Sequence, residues 1–452
     1  MNEIGMTAGH SGPVVVLTGQ TGASCQNLSS ATYSTRISQL NTRRHIPPAP
    51  DFAKPEFLLA HMQSLMDFYL PQAIDPSGGH YQYFLDDGTI WDHDTRHLVS
   101  ATRYAVTHSM LWRATGEPRY MDGLAHALRF LTDAFCIAPG DGYYWMIEWR
   151  DGQRQRVIDD TRQMYGLAFV MLAGAHGLLC GQESGRALLE DAFATAEQHF
   201  WLADHGLYAD DASADWVLSS YRGQNPNMHA CEAMLAAYEA TGEPRYLARA
   251  GTLADSVVRK LGDQQGGRIC EHYDTNWAPD WLYNRHDSTN IFRPWGYQPG
   301  HFTEWAKLLL QLDRFDPQPW HLDKARFLFD EASRTAWDQE HGGFHYGVGP
   351  DEQICDASKY HWVQAETLSA AALLAVVTGE TRYQQWYERT WAYCWAHFVD
   401  HEQGAWFRIL DRRNLNHTRE KSPAGKVDYH PIGACFDVLR ARKQIGFKTL
   451  PG

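Results

Sequence analysis

The sequence predicts an all-α fold: an (α/α)6 barrel in which six helical hairpins close into a toroid, with short β-hairpin loops on one rim. Two repeated signals carry this. The string Thr115-Gly116-Glu117-Pro118-Arg119-Tyr120 returns as Thr241-Gly242-Glu243-Pro244-Arg245-Tyr246 and again as Thr378-Gly379-Glu380-Thr381-Arg382-Tyr383. Each copy follows an Ala- and Leu-rich helical stretch and opens an amphipathic one. Gly ends the first helix, and Glu, twice followed by Pro, starts the second. Weaker equivalents lie at residues 181–185 and 316–320. The second signal is a Gly-centred turn, usually with an aromatic residue beside it, at 78–81, 142–145, 206–208, 266–268, 342–344 and 404–406. Six such turns at a recurring period imply six helical hairpins.

The amphipathic stretches, read as outer helices with one face in water, fall at 55–70, 118–135, 185–200, 244–261, 320–337 and 382–398. The inner helices fall at 96–114, 161–180, 226–241, 300–314, 361–378 and 429–443. Two of them, 164–179 and 365–377, are apolar nearly all round, which implies burial on both sides. The competing reading is an open helical solenoid, which needs polar end caps that a closed ring does not. Residues 1–50 are rich in Ser, Thr, Gly and Asn and low in charge, and read as a mobile extension or an early start site; residues 51–452 read as one barrel domain.

With 40 Lys and Arg against 54 Asp and Glu, the net charge of −14 argues against nucleic acid and anionic membranes as partners. No apolar run reaches the length of a membrane span. The eight cysteines are scattered without a C-x-x-C pair, as expected of reduced thiols in a cytoplasmic protein rather than of a disulfide framework or zinc site. Residues 19–24 superficially resemble a phosphate-binding loop, but lack its Lys and spacing. The 17 Trp, 22 Tyr and 19 Phe fit either a large aromatic core or a carbohydrate site, where ring faces pack on sugar C–H groups.

The entries to the inner helices concentrate unusual residues: Tyr221 to Glu232 before the third, Gln298 to Trp305 before the fourth, Lys359 to Glu366 before the fifth, and Asp428 to Pro431 before the sixth. His229 and Glu232 are spaced i, i+3, as are His301 and Glu304, so each pair shares a helix face. Inner helices that start at one rim would bring all of these to the mouth of the barrel, joined by Arg103 from the first. A lone His at a helix start is commonly a cap or core residue; four successive entries bearing His are harder to explain structurally. His and Glu are also metal ligands, but the second adjacent His of an inverted zinc motif is missing, and neither metal nor cofactor is expected.

These motifs, R-G-x-N-x-N-M-H-x-x-E-A, P-G-H-x-x-E-W and the late Y-H, resemble the N-acylglucosamine 2-epimerase superfamily over roughly residues 52–445. The resemblance independently implies an (α/α)6 barrel. Trp305 directly after Glu304, the Tyr221-Arg222-Gly223 lead-in and the stretch from Glu271 to Trp277 look like its mannose and sulfoquinovose isomerase branch. Carried onto matching positions, the resemblance implies catalytic roles for His301, His430, Glu304 and Arg103. It implies substrate contacts for His229, Asn225, Glu232, Trp362 and Gln364. The implied reaction is an aldose–ketose isomerisation of a free monosaccharide. His430 would move a proton between C2 and C1 through a cis-enediolate, His301 would open the ring, Glu304 would bias a neighbouring His tautomer, and Arg103 would hold the developing oxyanion.

Three alternatives remain at this point. Two His acting on C2 from opposite faces would make a sugar 2-epimerase. A pair of carboxylates among Asp159, Asp160 and Asp211 would make a glycoside hydrolase of the same architecture, and a non-catalytic sugar-binding protein is the third. Finally, the connection from Arg268 to Gln298 is far longer than the usual ~4–6 residues. With Trp277 and Trp281 it reads as a lid over the pocket.

Overall fold

A computed structural model describes residues 45–287 and 293–444. Most of the expected N-terminal extension lies outside the described residues. Its last part packs on the barrel, where Trp395 Nε1 donates to Pro47 O at 3.0 Å; just after it, the Phe52 ring stacks on Trp391 at 5.4 Å.

Among the described residues there are twelve α-helices: α1 Pro55–Asp67, α2 Leu98–Thr115, α3 Pro118–Phe130, α4 Met164–Leu179, α5 Ser184–His199, α6 Asn225–Thr241, α7 Pro244–Ala254, α8 Pro299–Asp313, α9 Pro319–Ala336, α10 His361–Thr378, α11 Thr381–His397 and α12 Tyr429–Ala441. Odd and even helices alternate as outer and inner layers. The inner ring runs α2–α4–α6–α8–α10–α12, and α12 packs back on α1 and α2, so the ring closes and the open solenoid is ruled out. The all-round apolar stretch of α4 is buried along almost its whole length, as its pattern requires. The expected outer helices 118–135 and 244–261 are present but change pitch: α3 and α7 run on as π-helical turns, Leu131–Phe135 and Asp255–Leu261.

The tandem strings form one local structure three times. Gly116, Gly242 and Gly379 end α2, α6 and α10 at φ 72°, 70° and 70°, a conformation that costs Gly little. The Thr before each Gly donates to the carbonyl four residues back, and its oxygen accepts from the Glu N–H two residues on. The Arg then reaches back across the turn to the preceding outer helix, Arg119 to Asp67, Arg245 to Glu190 and Arg382 to Asp330, at 2.6–2.8 Å. The motif is therefore a clasp between successive outer helices.

On the opposite rim, short antiparallel strands lead into inner helices. Thr95–His97 pairs with Met146–Arg150 and delivers α2. Arg162–Gln163 pairs with Asp211–Ala212 before α4, Arg222–Gly223 with His272–Tyr273 before α6, and Lys359–Tyr360 with Ile409–Leu410 before α10. Each ladder fixes the first residue of the helix that follows. These ladders join strands separated by a whole helical hairpin and gather the helix starts at one mouth; the expected β-hairpins are found in Met146–Arg150 with Gln153–Asp159 and in Tyr83–Leu85 with Ile90–Asp92.

Several buried imidazoles are built into this scaffold as neutral rings. Trp406 Nε1 donates to His61 Nε2 at 2.9 Å, and His80 Nε2 lies 3.2 Å from His108 Nε2, where one ring must accept. Burial lowers His61, His108 and His176 to about 3 and His97 to about 4, and pushes His80 well below its usual range. In the unfolded chain these rings titrate near 6.5, so between about pH 6.5 and 4.5 the unfolded state binds more protons and stability falls as pH falls, by up to about 1.4 kcal/mol per ring per pH unit. Thermal unfolding at pH 7.5 and pH 5 should show a clearly lower Tm at pH 5, with uptake of several protons on unfolding. Equal Tm values would mean that the rings are not held neutral.

Candidate active site

A cavity of about 250 Å³ opens at the mouth where the inner helices begin. Its walls include Arg103 from α2, Asn225 and His229 from α6, His301 and Glu304 from α8, Trp362 from α10 and His430 from α12. Sequence reasoning placed all seven there. Two other expected contacts stand elsewhere. Gln364 is fully buried and ties Phe344 N, Phe344 O and Tyr360 O, serving the scaffold. Glu232 stands behind His229, not on the cavity wall. Asp159, Asp160 and Asp211 do not line the cavity, which removes the carboxylate pair on which the hydrolase reading rested.

Two histidines are each backed by a carboxylate. His301 Nδ1 lies 2.9 Å from both oxygens of Glu271. Trp305 Nε1 donates to Gln224 Oε1 at 2.8 Å, which turns the Gln224 amide so that its nitrogen donates to Glu271 Oε2 at 3.0 Å. His430 Nδ1 lies 2.7 Å from Glu366 Oε1. A carboxylate can only accept, so each pair puts the ring proton on Nδ1 and leaves Nε2 as a base. Burial, followed by the charges of Arg103 and Lys307, pushes His430 well below its usual range, so the free ring is neutral near pH 7. The indole of Trp362 lies between the two rings, at 5.0 Å from His301 and 5.9 Å from His430. Its approach depends on Gly300, where a Cβ would sit 2.4 Å from the indole.

The orienting role expected of Glu304 thus falls to Glu271 and Glu366. Glu304 reaches His229 Nδ1 only at 4.0 Å, and its Oε1 is buried without a hydrogen bond. Burial, reinforced by the charge of Glu366, raises it well above the usual carboxylate range, which favours its protonated form on the cavity wall. His229 Nδ1 instead pairs with Glu232 at 3.0 Å, and Tyr429 OH donates to the other Glu232 oxygen at 2.8 Å. Burial alone would raise Glu232. The Lys307 charge and these hydrogen bonds outweigh it and hold Glu232 below its usual range.

Arg103 is clamped from several sides. It donates to Gly425 O and to Tyr165 OH, the latter at 3.2 Å, and its guanidinium lies 4.7 Å from the ring centres of both Phe169 and Tyr429. The turn before His430 is strained: Val427 and Asp428 take φ 43° and 41°, costly for a β-branched residue. Tyr69 OH to Asp428 at 2.6 Å, Lys426 Nζ to Asp428 at 2.7 Å and Val427 N to Ser422 Oγ at 3.3 Å hold it in place. The His430 backbone is therefore over-determined.

Sequence reasoning missed Glu271, Glu366 and Lys307 as site groups, and also His97. The latter caps α2, accepting from Val99 N at Nδ1, so its Nε2 is a donor at the cavity wall. The long connection contributes Arg293 and Pro294 to the wall, but not the expected tryptophans. Trp277 is buried with Tyr273 at 5.5 Å, and Trp281 packs edge-on to Tyr297 at 5.0 Å. Among the described residues, two sets have metal-ligand spacing: His229, Glu232 and Glu304, and Glu304, Glu366 and His430. Lys307 Nζ already brings a positive charge into both, at 2.6 Å from Glu366, 3.8 Å from Glu304 and 3.9 Å from Glu232.

The same architecture recurs in known proteins. The chain is 45% identical to a D-mannose isomerase of Marinomonas mediterranea over 393 residues, 86% of this chain and 98% of that one. It is 36% identical to a D-mannose isomerase of Thermobifida fusca, covering 68% of this chain and 75% of that one. A crystal structure of D-mannose isomerase superposes with a TM-score of 0.84 at 44% identity, covering 87% of this chain and 99% of that one. The profile of the N-acylglucosamine 2-epimerase (GlcNAc 2-epimerase) family matches residues 79–434, and the chain belongs to that family.

Proposed function

We propose that this aldose–ketose isomerase interconverts D-mannose and D-fructose, with His430 as the proton-transferring base. The observation that carries the mechanism is the pair of carboxylate-backed imidazoles, His301–Glu271 and His430–Glu366, set around one cavity with Arg103. The choice of sugar rests on the 45% identical relative named for D-mannose. The cavity, at about 250 Å³, is below the ~300–1,000 Å³ typical of drug-sized ligands and suits one monosaccharide.

In the proposed cycle the bare Nε2 of His301 takes the anomeric O1 proton and delivers it to the ring oxygen as the hemiacetal opens. The neutral His430 Nε2 takes the proton from C2, and the resulting imidazolium is stabilised by Glu366. The negative charge that develops on the C1 and C2 oxygens is met by the fixed guanidinium of Arg103, whose geometry needs no rearrangement. The same imidazolium then returns the proton to C1 while the O2 hydroxyl proton passes to the adjacent O1 of the cis-enediolate, which leaves a C2 carbonyl and a C1 hydroxyl. An imidazole can both take up and return a proton within one turnover.

Incubation with D-mannose in D2O, followed by NMR, tests the reading. D-fructose should form, with deuterium at C1 for each exchanged proton, and D-glucose should be at most a minor product. Dominant formation of the C2 epimer would instead support opposed bases, a reading favoured by one observation: His301 also has a carboxylate partner and a bare Nε2. Because the charge needed at the site is supplied by Arg103 and Lys307, dialysis against EDTA should leave kcat unchanged. Loss of turnover restored by a divalent ion would overturn that expectation.

A further inference from the structure

Behind the cavity, Glu232 on α6, Glu304 on α8 and Glu366 on α10 converge, and all three face one ammonium, Lys307, which is 4% exposed. Lys307 lies one turn after Glu304 on the same helix. Asp437, Tyr429 and His430 of α12, Tyr165 of α4, His229 of α6 and Arg103 of α2 are further charged or titratable groups that face this cluster. Three buried carboxyls around one cation cannot all be ionised cheaply. One must hold a proton, and the geometry decides which. Lys307 Nζ is hydrogen-bonded to Glu366 at 2.6 Å but stands 3.8 Å from Glu304, whose Oε1 has no partner. Glu232 is satisfied by His229 and Tyr429.

The placement matters because Glu366 is the group that fixes the His430 ring. An ionised Glu366 accepts from Nδ1–H and leaves Nε2 bare. A protonated Glu366 donates to Nδ1, and the ring proton moves to Nε2, where it cannot accept a proton from the sugar. We propose that Lys307 is a positioning residue for the proton transfer: by keeping Glu366 anionic and leaving the shared proton to Glu304, it holds His430 in its basic tautomer. This rests on the reading of His430 as the base. Burial raises Glu366, and the Lys307 charge is the main opposing influence, in keeping with that assignment. Lys307 does not line the sugar cavity, so its action runs through Glu366.

The test is Lys307→Met, with kcat and KM for D-mannose measured from pH 5.5 to 10. Loss of the cation lifts Glu366, so its ionisation needs a higher pH. The acid limb of kcat should move up by about two pH units. Below the wild-type limb kcat should fall about a hundredfold, recover towards alkaline pH and leave KM within about threefold. A uniform loss at every pH, with the acid limb in place, would reduce Lys307 to a structural counter-ion and overturn the proposal. A second measurement needs no variant: 15N NMR of the wild-type enzyme at pH 7.5 should show His430 protonated at Nδ1 and bare at Nε2, and the opposite tautomer would overturn it. These outcomes are separable from the fate of His430 itself. Turnover that survives His430→Asn overturns the choice of base, whereas the tautomer reports on the Glu366–His430 pair and the displaced limb on Lys307.

Discussion

His430→Asn is expected to abolish exchange of the C2 proton while leaving the barrel folded and the sugar bound. The ring sits at the start of α12, after a turn locked by Tyr69, Lys426 and Ser422, so its loss removes a side chain and not a fold element. Removal of a general base costs about 10²–10⁴ in rate. Because the same ring returns the proton in the proposed cycle, the loss should lie at the upper end. Deuterium wash-in at C2, followed by NMR, measures the step directly, with circular dichroism and sugar-dependent tryptophan fluorescence as controls. Near-normal exchange in the folded variant would mean that another group moves the proton.

His301→Asn should impair turnover of D-mannose by about 10²–10³, within the range for loss of a general acid–base group, but for a different reason. If His301 serves ring opening, the defect belongs to the cyclic form of the substrate. It should shrink by at least tenfold with an aldose that cannot cyclise or that is largely open in solution. C2 exchange in such an open substrate should then continue through His430. An equal defect with cyclic and open substrates would place His301 on the opposite face of C2 and shift the enzyme towards epimerisation. Glu271→Gln separates geometry from charge at the same ring, since an amide that donates to Nδ1 would reverse the tautomer that Glu271 imposes.

Much of the barrel was legible because its periodicities are local. The inner helices begin and end within a few residues of their expected limits, and the Thr-Gly-Glu strings proved to be the same turn three times. The π-helical turns after α3 and α7 have no comparable signal in the sequence. At the site, helix-entry residues placed His229, His301, His430 and Arg103 on one cavity. Local spacing was less informative about partners. His229 and Glu232 at i, i+3 form a hydrogen bond of 3.0 Å, whereas His301 and Glu304 at the same spacing do not bond. The partners of His301 and His430, Glu271 in the connection before α8 and Glu366 on α10, are 30 and 64 residues away in the chain, and the packing of neighbouring segments brings them within reach. The aromatic-rich connection showed the same limit. Composition marked it as unusual, but Trp277 and Trp281 are spent on its own packing, and Arg293 and Pro294 face the cavity.

The clasp of α12 onto α1 and α2 has a consequence for synthesis. Translation delivers the hairpins in order, and the proposed base rides on the last inner helix. A nascent chain with that helix still inside the ribosome holds most of the cavity wall, with Arg103, His229 and His301 already made, yet no group to draw a proton from C2. Chemistry would begin only when the ring shuts, so the first turnover of each new molecule would report the completion of its assembly.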